Sequence, residues 1–168
     1  VSKEAFNIEG LGKKIVENFW KIKLIQFPQD IFKLEYNKIE NLEGWGKLSV
    51  ENLKYSINEK KNISLEKLIY ALGIRHIGLE NAKLLSKYFT TFENFKILSV
   101  TNKYNDLLNI DGIGETQVSS IKNFFSVSIN LKILDELEKL LNIKKTLTEK
   151  TNGLLKDKSF LVTGKLSN

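Results

Sequence analysis

The chain has 168 residues, 42% hydrophobic and 27% charged, which describes a globular protein with a core rather than a disordered tail. It has no Cys and one His, which excludes a disulfide scaffold, a cysteine nucleophile and a thiolate metal site within this chain. Its net charge of +6 favours an anionic partner, nucleic acid first, but every cation except Arg75 is Lys. Lys, Asn and Ile share A/T-rich codons, so coding composition explains the basic balance as well as a partner does.

In chain order, Val1–Gly12 has no apolar signal-peptide core. The chain starts at Val1 and lacks Met, so it is expected to be processed or cut from something longer. Gly10-Leu-Gly12 precedes a helix expected over Lys13–Lys21. Pro28 suits the first turn of a helix at Gln29–Leu34. Gly44-Trp-Gly46 precedes a helix over Lys47–Asn58, and Ser64 is placed to cap Leu65–Leu72. Gly73-Ile-Arg-His-Ile-Gly78 leads into Leu79–Phe89. Thr90 with Glu93 forms a capping-box pattern before Phe92–Leu98, and Asn102 is placed to cap Lys103–Asn109. Gly112-Ile-Gly114 precedes Glu115–Phe125, and a longer helix follows over Ile129–Leu141. Asn142–Lys158 is polar and reads as a linker, and Ser159-Phe-Leu-Val-Thr163 is the one strand-like run. No apolar run is long enough to cross a bilayer, so no membrane partner is expected.

The glycines repeat. Gly12, Gly46, Gly78 and Gly114 each stand in the same apolar frame. Four residues before them are Ile8, Leu42, Ile74 and Ile110, and one before are Leu11, Trp45, Ile77 and Ile113. Four after are Val16, Val50, Ala82 and Val118, and seven after are Phe19, Leu53, Leu85 and Ile121. The last two sets lie on one helix face, so each unit is a glycine hairpin feeding an amphipathic helix. The fold class is mainly α, with four helix-hairpin-helix units. Trp20 and Trp45 are suited to stacking on bases, but both fit the buried frame and are expected in the core.

A hairpin that opens directly into a helix presents unbonded N–H groups and the positive end of the helix dipole. Glycines let the backbone approach a ligand, and Gly46 and Gly114 are expected in positive-φ turns. Such a site takes a phosphate and reads no base sequence. The candidate DNA-binding residues are Gly10, Gly12, Lys13, Gly44, Gly46, Lys47, Arg75, His76, Gly78, Gly112, Gly114 and Thr116. Lys13, Lys14 and Lys47 supplement their hairpins, while Glu115 at the fourth is expected as an N-terminal helix charge, with a mildly unfavourable effect on DNA as the alternative. The plain alternative is four chain reversals whose glycines serve the turn alone. No residue is assigned a catalytic or metal-binding role.

The stretches Phe6-Asn-Ile-Glu-Gly-Leu-Gly12, Leu42-Glu-Gly-Trp-Gly46, Leu68-Ile-Tyr-Ala-Leu-Gly-Ile-Arg-His-Ile-Gly78 and Ile110-Asp-Gly-Ile-Gly114 resemble the tandem helix-hairpin-helix domain of bacterial NAD-dependent DNA ligases. Leu154-Leu-Lys-Asp-Lys-Ser-Phe-Leu-Val-Thr-Gly-Lys-Leu166 resembles the first strand of the BRCT domain that follows in that family. The resemblance implies two pseudo-twofold pairs of units over 1–143, a linker over 144–158 and a truncated BRCT strand over 159–168. It implies a piece of a monomeric, cytoplasmic, nucleoid-associated ligase that seals nicks in replication and repair. The implied partners are nicked double-stranded DNA and the other domains of the same ligase. No cofactor is expected on this chain; NAD, Mg2+ and Zn2+ belong to other parts of such an enzyme. The family's Lys-x-Asp-Gly active-site tetrapeptide does not occur here, so the chain alone is expected to be inactive. Two other readings remain open: the helix-hairpin-helix module of an excision nuclease or junction-binding protein, and a helical protein-interaction module.

Overall fold

The structure is a computed structural model that describes residues 4–147. The four hairpin helices are α1 (Lys13–Lys21), α3 (Lys47–Glu59), α5 (Leu79–Phe89) and α8 (Glu115–Ser126). All four begin at the expected residue, and none ends more than one residue from its expected end. Between them stand α2 (Tyr36–Glu40), α4 (Leu65–Ala71), α6 (Phe92–Lys96) and α7 (Leu98–Thr101), and α9 (Ser128–Leu140) follows α8. The helices expected over Gln29–Leu34 and Lys103–Asn109 are short 3-10 helices, at Pro28–Lys33 and Tyr104–Asn109. In the first, the Asp30 carboxylate accepts from the N–H groups of Gln26 and Phe27, both at 2.8 Å, and Pro28 occupies the first turn.

The frame read from the sequence is the core. Val16, Leu42, Trp45 and Ile110 are half-buried and the other twelve frame residues are buried. They join Leu65, Leu68, Ile69, Phe95 and Leu134 in one continuous apolar cluster. α4 lies along α5, α2 along α3, and α9 packs on both α8 and the Pro28–Lys33 turn. Ion pairs tie α9 down: Glu136 meets Lys33 of that turn, and Asp135 and Glu138 meet Lys96 on α6, both at 2.6 Å.

Several local expectations are corrected. Thr91, not Thr90, caps α6, its hydroxyl accepting from Asn94 N–H at 3.2 Å, because Thr90 has turned to φ +60° at the end of α5. Ser64 stands at the N-cap of α4, but its buried hydroxyl makes no hydrogen bond among the described residues. Asn102 ends α7 in a left-handed conformation instead of capping the turn after it.

The supposed linker begins as structure. Asn142–Lys144 forms β2, pairing in parallel with β1 (Asn62–Ser64) in the register Asn62 to Asn142, Ile63 to Ile143 and Ser64 to Lys144. The Asn142 side chain donates to Asn62 Oδ1 at 2.7 Å, and Thr146 N–H reaches the Thr90 carbonyl at 2.9 Å. The folded body therefore extends past the expected boundary at 143. The expected strand at Ser159–Thr163 and most of the expected linker lie outside the described residues.

Candidate nucleic-acid interface

Each hairpin is a four-residue turn closed by the frame itself. The N–H of Leu11, Trp45, Ile77 and Ile113 donates to the carbonyl of Ile8, Leu42, Ile74 and Ile110, at 3.3, 3.1, 3.0 and 3.0 Å. The third turn residue has positive φ: Gly10 +78°, Gly44 +80°, His76 +62° and Gly112 +89°. That is the demand of a type II turn, which glycine meets without steric cost. His76 meets it at a cost, and its carbonyl is held by Asn81 Nδ2 at 3.0 Å.

The second glycine of each pair has a different job. Gly12, Gly46, Gly78 and Gly114 are the N-caps of their helices, with φ of −73°, −131°, −80° and −111°. Any residue adopts such an extended backbone, so the positive φ expected at Gly46 and Gly114 is not found. Nothing lies within 4 Å of where a Cβ would stand at Gly12, Gly46 or Gly78, and at Gly114 the nearest atom is Gln117 Oε1 at 3.4 Å. These glycines therefore leave open space over a helix N-terminus.

All twelve candidate residues are exposed. Lys13 pairs loosely with Glu17 at 3.8 Å, whereas Lys47 and Arg75 make no ion pair among the described residues. Hairpins one and two share a cleft lined by Glu9, Gly10, Gly44, Trp45, Ser49 and Tyr55. The fourth hairpin leans on the third unit, with the Cβ position at Gly112 only 3.0 Å from Leu84 Cδ1 on α5.

Two columns of the repeat carry information that the sequence reading passed over. At the second turn position stand Glu9, Glu43, Arg75 and Asp111, so three hairpins carry a carboxylate there and the third carries the single Arg. Three residues after the second glycine stand Ile15, Ser49, Asn81 and Gln117. Ser49 Oγ accepts from Gly46 N–H at 2.9 Å, and Gln117 Oε1 accepts from Gly114 N–H at 3.2 Å. Gly12 and Gly78 have no such partner, and their N–H groups make no hydrogen bond among the described residues. The first and third hairpins thus present one more unbonded donor than the second and fourth.

The two tryptophans part company. Trp45 is half-buried, with its ring centroid 5.6 Å from that of Phe19. Trp20, expected in the core, is 64% exposed. It stands one position past Phe19, off the buried face of α1, at the rim of an apolar cleft with Phe27. No helix among the described residues is long and apolar enough to cross a membrane.

Residues 67–134 match a family model described as a helix-hairpin-helix motif. The chain is 64% identical over 167 residues to a DNA ligase of Pelagibacter ubique (strain HTCC1062), covering 99% of this chain and 25% of that protein. It is 44% identical over 178 residues to a DNA ligase of Rickettsia canadensis (strain McKiel), covering 99% of this chain and 26% of that protein. The chain spans about a quarter of the length of the curated relatives it matches. Over nearly its whole length the chain is thus similar to a segment of these DNA ligases, and its third and fourth hairpins fall within the helix-hairpin-helix match.

Proposed function

We propose that the chain grips the backbone of duplex DNA as part of an NAD-dependent DNA ligase that seals single-strand nicks in replication and repair. The observation that carries this reading is the fourfold turn that delivers an exposed, side-chain-free N-cap to the start of α1, α3, α5 and α8. Amide donors and the positive helix ends there suit phosphate oxygens. Lys13, Lys47 and Arg75 add charge beside three of the sites, and the Thr116 hydroxyl adds a donor at the fourth. Contacts of this type position a duplex without reading its bases. In the whole enzyme, a monomer of the cytoplasm and nucleoid, this segment holds the nicked duplex while other domains supply the chemistry. The NAD, Mg2+ and Zn2+ of that enzyme belong, in this reading, to those other domains. A ligase is favoured over an excision nuclease because the similar proteins are DNA ligases.

The test is fluorescence anisotropy of the 168-residue chain with nicked and intact duplexes of two unrelated sequences, over a salt series. The expected result is equal affinity for both sequences, falling with salt by about 0.9 log units per log unit of salt for each phosphate held. Incubation with NAD, Mg2+ and nicked DNA is expected to give neither an adenylated lysine nor a sealed strand. One observation favours a second reading, a protein-interaction module: the cleft beside Trp20, about 500 Å³, is walled by Phe6, Phe27, Phe32 and Phe124. Absence of DNA binding at low salt would leave that reading standing.

A further inference from the structure

A second cationic feature lies away from the turns. A depression of about 320 Å³ is lined by Lys60, Lys67 and Lys144 together with Asn7, Asn62 and Ser64, and among the described residues no carboxylate lines it. Lys60 caps the C-terminus of α3, whose N-terminus belongs to the second hairpin, so the length of that helix separates the two. Lys144 arrives from far along the chain because β2 pairs with β1 and sets it opposite Ser64. None of the three lysines makes an ion pair among the described residues. Lys67 also borders a neighbouring depression that holds Glu4, Glu66, Glu80 and Lys83.

The remaining polar groups point to the same ligand chemistry. Asn62 Oδ1 is occupied by Asn142, which leaves the Asn62 amide nitrogen as a donor. The Ser64 hydroxyl is buried and makes no hydrogen bond among the described residues, so a residue of the lining carries an unused polar group. Three ammonium groups and an amide N–H2, with an unused hydroxyl beside them, outnumber the acceptors that Asn7 and Ser64 bring to the lining, which suits an anion with several oxygens. We propose that this pocket binds one phosphate group, independently of the hairpins. The phosphate comes either from the nucleic-acid backbone, which rests on the reading above, or from free phosphate, which does not.

The experiment uses the whole 168-residue chain and has two arms. In the first, backbone amides are followed by NMR as inorganic phosphate is added at constant ionic strength, with chloride as control. Saturable shifts at Ser64 and Lys144 are expected with phosphate only, and are expected to vanish in a Lys60→Gln/Lys144→Gln variant. In the second, duplex DNA is titrated over a salt series. If the site takes a DNA phosphate, that variant lowers the magnitude of the salt slope by about 0.9, and Lys144→Gln alone lowers it by no more than that, because one phosphate is shared. A phosphate shift with an unchanged DNA slope assigns the site to free phosphate. A chain that binds no DNA but keeps the shift refutes the function proposed above and leaves this site standing. No saturable shift together with an unchanged slope, or a shift that survives in the double variant, overturns the proposal.

Discussion

The third and fourth hairpins make the same turn from different residues. Both close between frame residues at 3.0 Å and both hold their third turn residue at positive φ. The third uses His76 there, beside Arg75, and leaves Gly78 N–H without a hydrogen bond among the described residues; the fourth uses Gly112, beside Asp111, and covers Gly114 N–H with Gln117. The comparison separates two properties that a shared motif merges. Turn geometry depends on the apolar frame and on one positive-φ position. Attraction for phosphate depends on the charge at the second turn position and on whether the cap donor is already occupied.

The largest expected effect breaks the turn itself. Gly112→Val places a β-branched residue at φ +89° with its Cβ 3.0 Å from Leu84 Cδ1, and is expected to cost about 2 to 3 kcal/mol in urea unfolding. His76→Gly, at the equivalent place, is expected to stay within about 1 kcal/mol of the parent, because relief of the left-handed strain offsets the added chain entropy. Equal and large losses at both positions would show that the two turns do not share a conformational demand.

Next comes the cap. Gln117→Ala removes the acceptor on Gly114 N–H and is expected to lower stability by about 1 kcal/mol, without weakening DNA binding. Charge at the second turn position gives a smaller effect of opposite sign in the two hairpins. Arg75→Gln is expected to lower duplex affinity a few-fold and Asp111→Asn to raise it a few-fold, roughly the worth of one exposed charge. Anisotropy at low and high salt reads both, and both differences shrink as salt rises.

How α9 is held to the Pro28–Lys33 turn is tested by acid. Hydrogen bonds from Lys33 and then Lys139 bring the Glu136 carboxyl down from 4.5 to about 2. Its folded pKa is below its unfolded one. Its contribution is therefore complete above the unfolded pKa and is lost as pH falls from about 4.5 through about 2. Circular dichroism over that window is expected to show a small loss of stability that Lys33→Gln largely removes, since the first of the two partners is then gone.

The hairpins were legible in the sequence because a tight turn and a helix start are local. Spacing placed the first residue of α1, α3, α5 and α8, and the frame around Gly12, Gly46, Gly78 and Gly114 named core residues correctly. Which glycine of each pair needs positive φ was not legible, since Gly-x-Gly carries two glycines and only the turn geometry tells them apart. The β1–β2 pairing was hidden because each strand has three residues and the partners lie far apart in the chain. Trp20 was misplaced because it neighbours Phe19 in sequence and not on the helix face. The caps at Ser49 and Gln117 were visible as a column of the repeat, at the third helical position where a side chain reaches back to the N-cap N–H.

The most direct measurement of the phosphate role uses the two hairpins with an unbonded cap donor. Gly12 and Gly78 have extended φ and no atom within 4 Å of a built Cβ, so valine at either position leaves the fold intact while its side chain covers the N-terminus of α1 or α5. The measurement is anisotropy of a Gly12→Val/Gly78→Val variant on two unrelated nicked duplexes across a salt series, with circular dichroism confirming unchanged helix. Loss of two charge-assisted contacts predicts affinity lowered by about tenfold or more on both sequences alike, with a salt slope smaller by about two contacts. A folded variant that binds as tightly as the parent, with the same slope, would contradict the assignment and reduce the hairpins to chain reversals.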